Sequence, residues 1–363
     1  MMTTVTNTTD DAATNKARLS LSVLDLIPVR VGQSSADAIA ATVELAQRAD
    51  ELGYRRYWVA EHHNMPSVAS TNPPVLIGII AGATERIRVG AGGVMLPNHS
   101  PLVIAEQFGI LEAAFPGRID LGLGRAPGSD PVITALLRSS GAVSDVDAFA
   151  QNIADIAALL NPAGAVLGLQ NGQRYELSAT PVAHSVPEVW LLGSSGYSAN
   201  LAAHEGMRYV FANHFSGDST TEALELYRRD FTASETVAQP TTFLTLNVSV
   251  AETADEARAL ALPQMQQMAK LRTGAALTQL PSVEQAAATT PTPAQSDLIE
   301  RMSASWIIDN PANAARRIRA LASQFGVDEV MLHLVASAHE DEAVASSPAR
   351  LRAVELLAAE VLG

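Results

Sequence analysis

Apolar residues recur along this chain in two alternating rhythms. Short runs such as Leu19–Asp25, Tyr57–Ala60 and Ile119–Gly124 are almost continuously apolar, as strands buried on both faces are. Between them, apolar residues fall near every third or fourth place. Ile39, Val43, Ala46 and Leu52 follow a candidate cap at Ser35, and Gly53 suits the stop. Ile104, Phe108, Leu111 and Phe115 follow Ser100–Pro101 and end at Pro116–Gly117. The alternation continues through strands at Ile87–Val94, Pro187–Leu192, Tyr209–Ala212, Phe243–Val250 and Glu329–Leu334.

Two intervals are longer than the rest. After the fourth strand, Arg125–Val143 reads as loop with a little helix. Asp145 then caps a helix, and a hairpin is expected around Asn171–Gly172. After the seventh strand, a helical region over 253–278 leads into 279–305. Pro281, Pro291 and Pro293 make that stretch read as an excursion or mobile loop. Asn310 and Pro311 open the next helix and Gly326 closes it. Eight strands, each followed by helix, predict an α/β fold: one (β/α)8 TIM barrel over 18–363 with insertions after strands 4 and 7. A doubly wound sheet is the alternative, but the first strand lacks the G-x-G-x-x-G turn. Residues 1–17 read as a polar, disordered tail.

Composition narrows the function classes. The net charge of −14 argues against nucleic acid or an anionic membrane as partner. With no cysteine, thiolate catalysis, disulfides and Cys-held metals are excluded. No apolar run of roughly 18 residues is present, and no signal peptide is visible, so the cytoplasm is the expected location.

In a barrel of this kind the chemistry sits at the carboxyl ends of the strands. Those ends carry Glu61–His62–His63–Asn64, Gly92–Gly93 with Asn98–His99, Arg125 with Gly128–Ser129, Gly193–Ser198 and Asn213–His214. Adjacent glycines within a strand suit either a close-approaching ligand or a barrel bend. Glu61, His62 and His63 could form a salt-bridged rim, hold a metal, or supply a general base. Ser194–Ser195–Gly196–Tyr197–Ser198 joins a strand to a helix start and suits a phosphate; Ser195 could instead be only a cap. Arg125 could fork onto that phosphate or pair with Asp120 or Asp130. His333 would end the eighth strand and could face the site. His184, His204 and His339 read as surface or structural.

Several stretches in the same order resemble the bacterial luciferase-like flavin-dependent monooxygenases, nearest to single-polypeptide members without light emission. They are YWVAEHHN (57–64), RIRVGAGGVMLPNHSPLVIAEQ (86–107), FPGRIDLGLGRAPGSD (115–130) and LLGSSGYSANLAAHEG (191–206); NPANAARRIRALASQFGVDEVML (310–332) follows more loosely. The resemblance implies an enzyme that takes reduced FMN from a separate flavin reductase. With O2 it would oxygenate a small hydrophobic substrate through a flavin C4a-peroxide. By position, His62 matches the catalytic histidine. Gly92–Gly93 matches a cis-linked pair beneath the flavin ring, and Arg125, Ser195 and Ser198 match the phosphate contacts. Ser194 stands where luciferase has an acidic residue. The resemblance also implies a mobile loop at 279–305 and a homodimer built on the helices after strands two and three. An F420-dependent oxidoreductase, a non-catalytic flavin-binding protein and a metal-dependent hydrolase are the rivals. Pocket walls are expected from Leu26–Val31, Met65–Ser70 and 279–305.

Overall fold

Eight strands close into a parallel barrel: β1 Ser20–Asp25, β2 Arg56–Val59, β3 Arg88–Ala91, β4 Ile119–Gly124, β5 Glu188–Gly193, β6 Arg208–Phe211, β7 Thr242–Val250 and β8 Glu329–Leu334. The computed structural model describes residues 19–139, 146–168, 171–215, 217 and 219–363. The expected tail 1–17 and the expected cap Asp145 lie outside them. Each strand pairs in parallel with the next, and Ser20 to Leu24 of β1 lie opposite Glu329 to His333 of β8 to close the ring. Parallel neighbours need crossover connections, which is why helices separate the strands.

The helices start and stop where local chemistry dictates. The first, Ser35–Glu51, is capped one residue earlier than expected. Ser34 accepts from the Asp37 N–H, and the Asp37 side chain returns the bond to the Ser34 N–H. Its fully buried face carries Ala38, Ala41, Leu45 and Ala49, while Ile39 and Val43 are only half-buried, so alanines let this helix lie close to the strands. Asn310 and Gly326 bound the helix Pro311–Phe325 as anticipated, with Gly326 at φ +60°.

The barrel interior is layered. Near the amino ends of the strands, Arg56 is buried and bonds Asp120 and Glu329, each at 2.8 Å. Above it, Trp58, Trp190 and Phe243 pack with ring centroids 5.0–5.8 Å apart, among Leu24, Val210 and Met331. The indole N–H of Trp58 donates to Asp120 at 2.8 Å, tying the two layers together.

Strand β3 breaks at Gly92–Gly93, whose peptide is cis, and resumes at Val94–Met95 beside β4. A Cβ on Gly92 would come within 2.9 Å of Trp58 and 3.0 Å of Leu24. One on Gly93 would come within 2.8 Å of the Gly122 carbonyl oxygen. The glycines are therefore demanded first by the aromatic layer and by β4.

Both insertions fall where expected. After β4 come the helices Pro131–Arg138 and Phe149–Leu160 and an antiparallel hairpin, Ala165–Gly168 with Arg174–Leu177. After β7 the structure corrects the sequence reading. Residues 279–305 are mostly helix, Val283–Ala288 and Pro293–Ser305, not an irregular excursion. The prolines begin helices here and do not interrupt them. Pro281 precedes a capping box of Ser282 with Gln285, and Pro293 follows the cap in a second box of Thr292 with Gln295. Leu280 is pinned by backbone bonds to Val29 and Val31, both 2.9 Å. A short strand, Ile307–Asp309, then adds to the outer end of β7.

Candidate active site

Glu61 organises the carboxyl end of the barrel. It is fully buried, and one carboxylate oxygen accepts from His63 Nε2 at 2.9 Å and His99 Nε2 at 2.8 Å. Its other oxygen accepts the Met95 N–H at 2.9 Å. Burial opposes ionisation, but these donors outweigh it and hold the carboxyl down at about 2. Glu61 thereby locks the end of β2 to the segment after β3. The rim anticipated from Glu61, His62 and His63 exists in part: Glu61 and His63 form it with His99, and His62 stays outside.

His62 is placed by its backbone N–H, which donates to the Ser70 carbonyl at 2.9 Å. Its Nδ1 is buried and has no hydrogen-bond partner among the described residues. Burial pushes its pKa down, against the pull of Glu61, so the imidazole is neutral at pH 7.

Two further histidines stand across the mouth. His214, after β6, bonds through Nδ1 to the Thr245 hydroxyl at 3.0 Å. His333, on β8, bonds through Nδ1 to Asn247 Oδ1 at 2.7 Å. Their rings meet edge-on, 5.9 Å apart. Burial first, and then like charge from neighbouring histidines, lowers His214 to about 4 and His333 to about 3. The sequence raised His333 as a possibility and His214 as a strand end. It gave no role to Asn247 or Thr245, although polar residues at alternate places in the apolar strand TFLTLNVSV were a usable signal.

Arg125 follows directly on β4. Its guanidinium lies over the Tyr197 ring, 4.0 Å from the centroid. The carboxylates weighed as its partners are engaged elsewhere. Asp120 holds Arg56 and Arg88, and Asp130 caps the helix Pro131–Arg138. Among the described residues Arg125 has no ion-pair partner. Its loop is tied down by His63, which donates to the Gly128 carbonyl at 3.1 Å, and by Asn98, which donates to Pro127 at 2.8 Å.

Tyr197 belongs to the helix Gly196–His204, whose cap position is Ser195. The Ser195 side chain makes no capping bond, so its hydroxyl remains available. Ser194, Ser195, Gly196 and Tyr197 are exposed, and Ser198 is buried beneath Gly193. Arg125 and this helix start thus converge from adjacent strands β4 and β5. Among the described residues no three His, Asp or Glu side chains are grouped to hold a metal ion.

The chain has relatives among known proteins. The family model described as luciferase-like monooxygenase matches residues 19–329. The chain belongs to that family. It is 37% identical over 315 residues to a luciferase-like monooxygenase of Escherichia coli strain K12, covering 87% of this chain and 91% of the relative. It is 39% identical over 216 residues to the N-acetyl-S-alkylcysteine monooxygenase of Bacillus subtilis strain 168, covering 59% and 62%. The crystal structure of apo-MsnO8 superposes with a TM-score of 0.82 at 31% identity, covering 94% of this chain and 98% of that one. This luciferase-like monooxygenase is an oxidoreductase built on the family's barrel. Among its described residues no helix is long and apolar enough to cross a membrane.

Proposed function

We propose that this enzyme uses reduced FMN and O2 to oxygenate a small apolar organic molecule at the carboxyl end of the barrel. The observation that carries the reading is Arg125. It is a cation with no ion-pair partner among the described residues, stacked on Tyr197 beside a helix start that the Ser195 side chain does not cap. A dianionic phosphate fits that combination of guanidinium, free N–H groups and hydroxyls. Arg125, Ser194, Ser195, Gly196, Tyr197 and Ser198 would hold it. Gly92–Gly93, whose missing side chains would face Trp58, Leu24 and Gly122, would offer bare backbone to the flat ring system.

Reduced flavin, when bound, supplies the activation of O2 and the transfer of one oxygen atom. The chain's own part is to orient and shield it and to manage protons. His62, neutral and with an unpartnered Nδ1, is suited to donate or accept a proton at that atom. Glu61, held by three donors, fixes the turn that carries His62 and does not itself exchange protons near neutral pH.

Reduced FMN would come from a separate reductase, since neither the family nor the site implies a nicotinamide fold within this chain. A homodimer fits the surface. Val75, Ile79, Leu102, Val103 and Ile110 are 41–59% exposed on the neighbouring helices Pro73–Gly82 and Pro101–Ala114, an apolar face that a second copy would cover.

Titration with FMN, reduced FMN and reduced F420, followed by O2 uptake with an added flavin reductase, tests the proposal. Tight binding of reduced FMN and flavin-dependent O2 consumption are expected. Selective binding of F420, or no flavin binding, would overturn it.

A further inference from the structure

The carboxyl ends of β8 and β1 meet at a seam on the rim of the barrel. A narrow cavity of about 30 Å³ opens there. Its walls are mainly apolar, among them Leu26, Pro28, Val68, Leu280 and Val335. Four polar side chains also line it: Asp25, bonded to Thr42, Tyr57 and Arg350; Ser67, which accepts from Gln267 at 3.0 Å; His333, which is 7% exposed; and Gln264 of the helix Ala254–Arg272.

The hydrogen-bond network fixes the tautomer of His333. The Asn247 amide nitrogen donates to the His214 carbonyl at 2.6 Å, so the amide cannot be reversed without setting two oxygens against each other. Asn247 therefore presents its oxygen to His333, and His333 Nδ1 must carry the proton of their 2.7 Å bond. In the neutral ring the other nitrogen, Nε2, is then a bare acceptor. No protein donor reaches Nε2 among the described residues, and it is not among the polar atoms sealed from solvent. An acceptor atom on a largely buried histidine, kept in one tautomer and reachable from solvent, is available to a bound donor. Gln264, also without a hydrogen-bond partner among the described residues, supplies a second polar group to the same space.

We propose that His333 Nε2 is a specificity determinant that accepts a hydrogen bond from a hydroxyl or N–H group of the substrate. Gln264 assists, and the apolar walls take the adjoining carbons. The substrate class is a slim apolar molecule with one hydrogen-bond donor at its end, because the cavity has space for a small polar group and not for a ring. As a substrate site this rests on the oxygenase reading, although its binding chemistry can be tested alone.

Two isomers of equal size separate the chemistry. 1-Hexanol has the donor, and methyl pentyl ether lacks it. Their dissociation constants would be measured by saturation-transfer NMR titration on the full chain, with and without FMN. The alcohol is expected to bind about tenfold more tightly, the factor one hydrogen bond to a buried acceptor contributes. In His333→Leu the two constants should agree within about twofold while FMN affinity is unchanged, and His333→Gln, which keeps an acceptor, should recover part of the preference. Should His333→Leu not fold, Gln264→Leu, at a half-buried helix position, should reduce the preference several-fold. Equal binding of the isomers to the native chain, a preference that survives both Leu variants, or binding of neither isomer would overturn the proposal. If the alcohol preference stands but reduced FMN does not bind, the oxygenase reading fails and the recognition site survives.

Discussion

The guanidinium of Arg125 and the ring of Tyr197 face each other 4.0 Å apart, joining the ends of two adjacent strands. Neither residue spends its polar groups on the other, since the contact uses the ring face and the plane of the cation. Among the described residues no acceptor takes the guanidinium N–H donors, which leaves them to an anion. Arg125→Ala should therefore weaken FMN by roughly 10- to 100-fold, the range of a lost charge-assisted bond. Riboflavin, which has no phosphate, should change by less than about threefold. Isothermal titration with both flavins checks this, and equal losses would remove Arg125 from the phosphate site.

His62→Ala should leave FMN affinity within about threefold, because the side chain is placed for proton handling and not for the phosphate. With a substrate that the native enzyme oxygenates, a larger share of the O2 consumed should appear as hydrogen peroxide. Oxygen uptake measured with and without catalase gives that share. An unchanged share would count against the role given to His62.

Stability should fall as the solution is acidified below pH 6.5. His214 and His333 take up protons at about 4 and 3 when folded, against an ordinary value of 6.5. Between those values the unfolded chain binds protons that the folded chain refuses, so acid favours unfolding. The contribution is complete above pH 6.5 and is lost progressively toward pH 4 and below. Urea midpoints at pH 7.5, 6 and 5 should show the decline, and the double variant His214→Gln, His333→Gln should flatten it. Glu61 adds its own loss only lower, between 4.5 and about 2.

Ile79→Arg and Ile110→Arg should each yield monomers if the exposed face is a dimer contact. Both positions are exposed and apolar, at 42% and 53%, so neither change disturbs the core. Light scattering after size exclusion should show the mass fall by half relative to the native chain. A native chain that is already monomeric would dismiss the contact.

Gly92→Ala should destabilise the fold by about 1–3 kcal/mol, the usual cost of forcing a methyl group into a filled core. The new Cβ would press on Trp58 at 2.9 Å and Leu24 at 3.0 Å. Thermal melts of the flavin-free protein isolate this effect from any loss of cofactor binding.

Much of this architecture was readable from sequence because the barrel repeats one local rule. Buried strands, amphipathic helices, caps such as Asn310 and the stop at Gly326 each depend on residues a few places apart. Leu26, Pro28, Ser67, Val68 and Leu280, all within the segments expected to wall a pocket, line one small cavity. What escaped depends on residues far apart in sequence. Glu61 looked like part of a local trio, yet one of its imidazole partners is His99, 38 positions on. Asn247 gained its meaning only when β7 met β8, 86 positions later. The prolines of 279–305 were misread because their position relative to a cap, and not their number, decides whether helix forms.

The layer of Trp58, Trp190 and Phe243 has an electrostatic consequence. It divides the barrel's axis into a salt-bridged floor and a histidine-lined upper chamber, with only packed rings and aliphatic groups between them. None of the side chains packed in that layer titrates, so a full layer of apolar groups separates the charge of the buried Arg56–Asp120 pair from the histidines of the upper chamber.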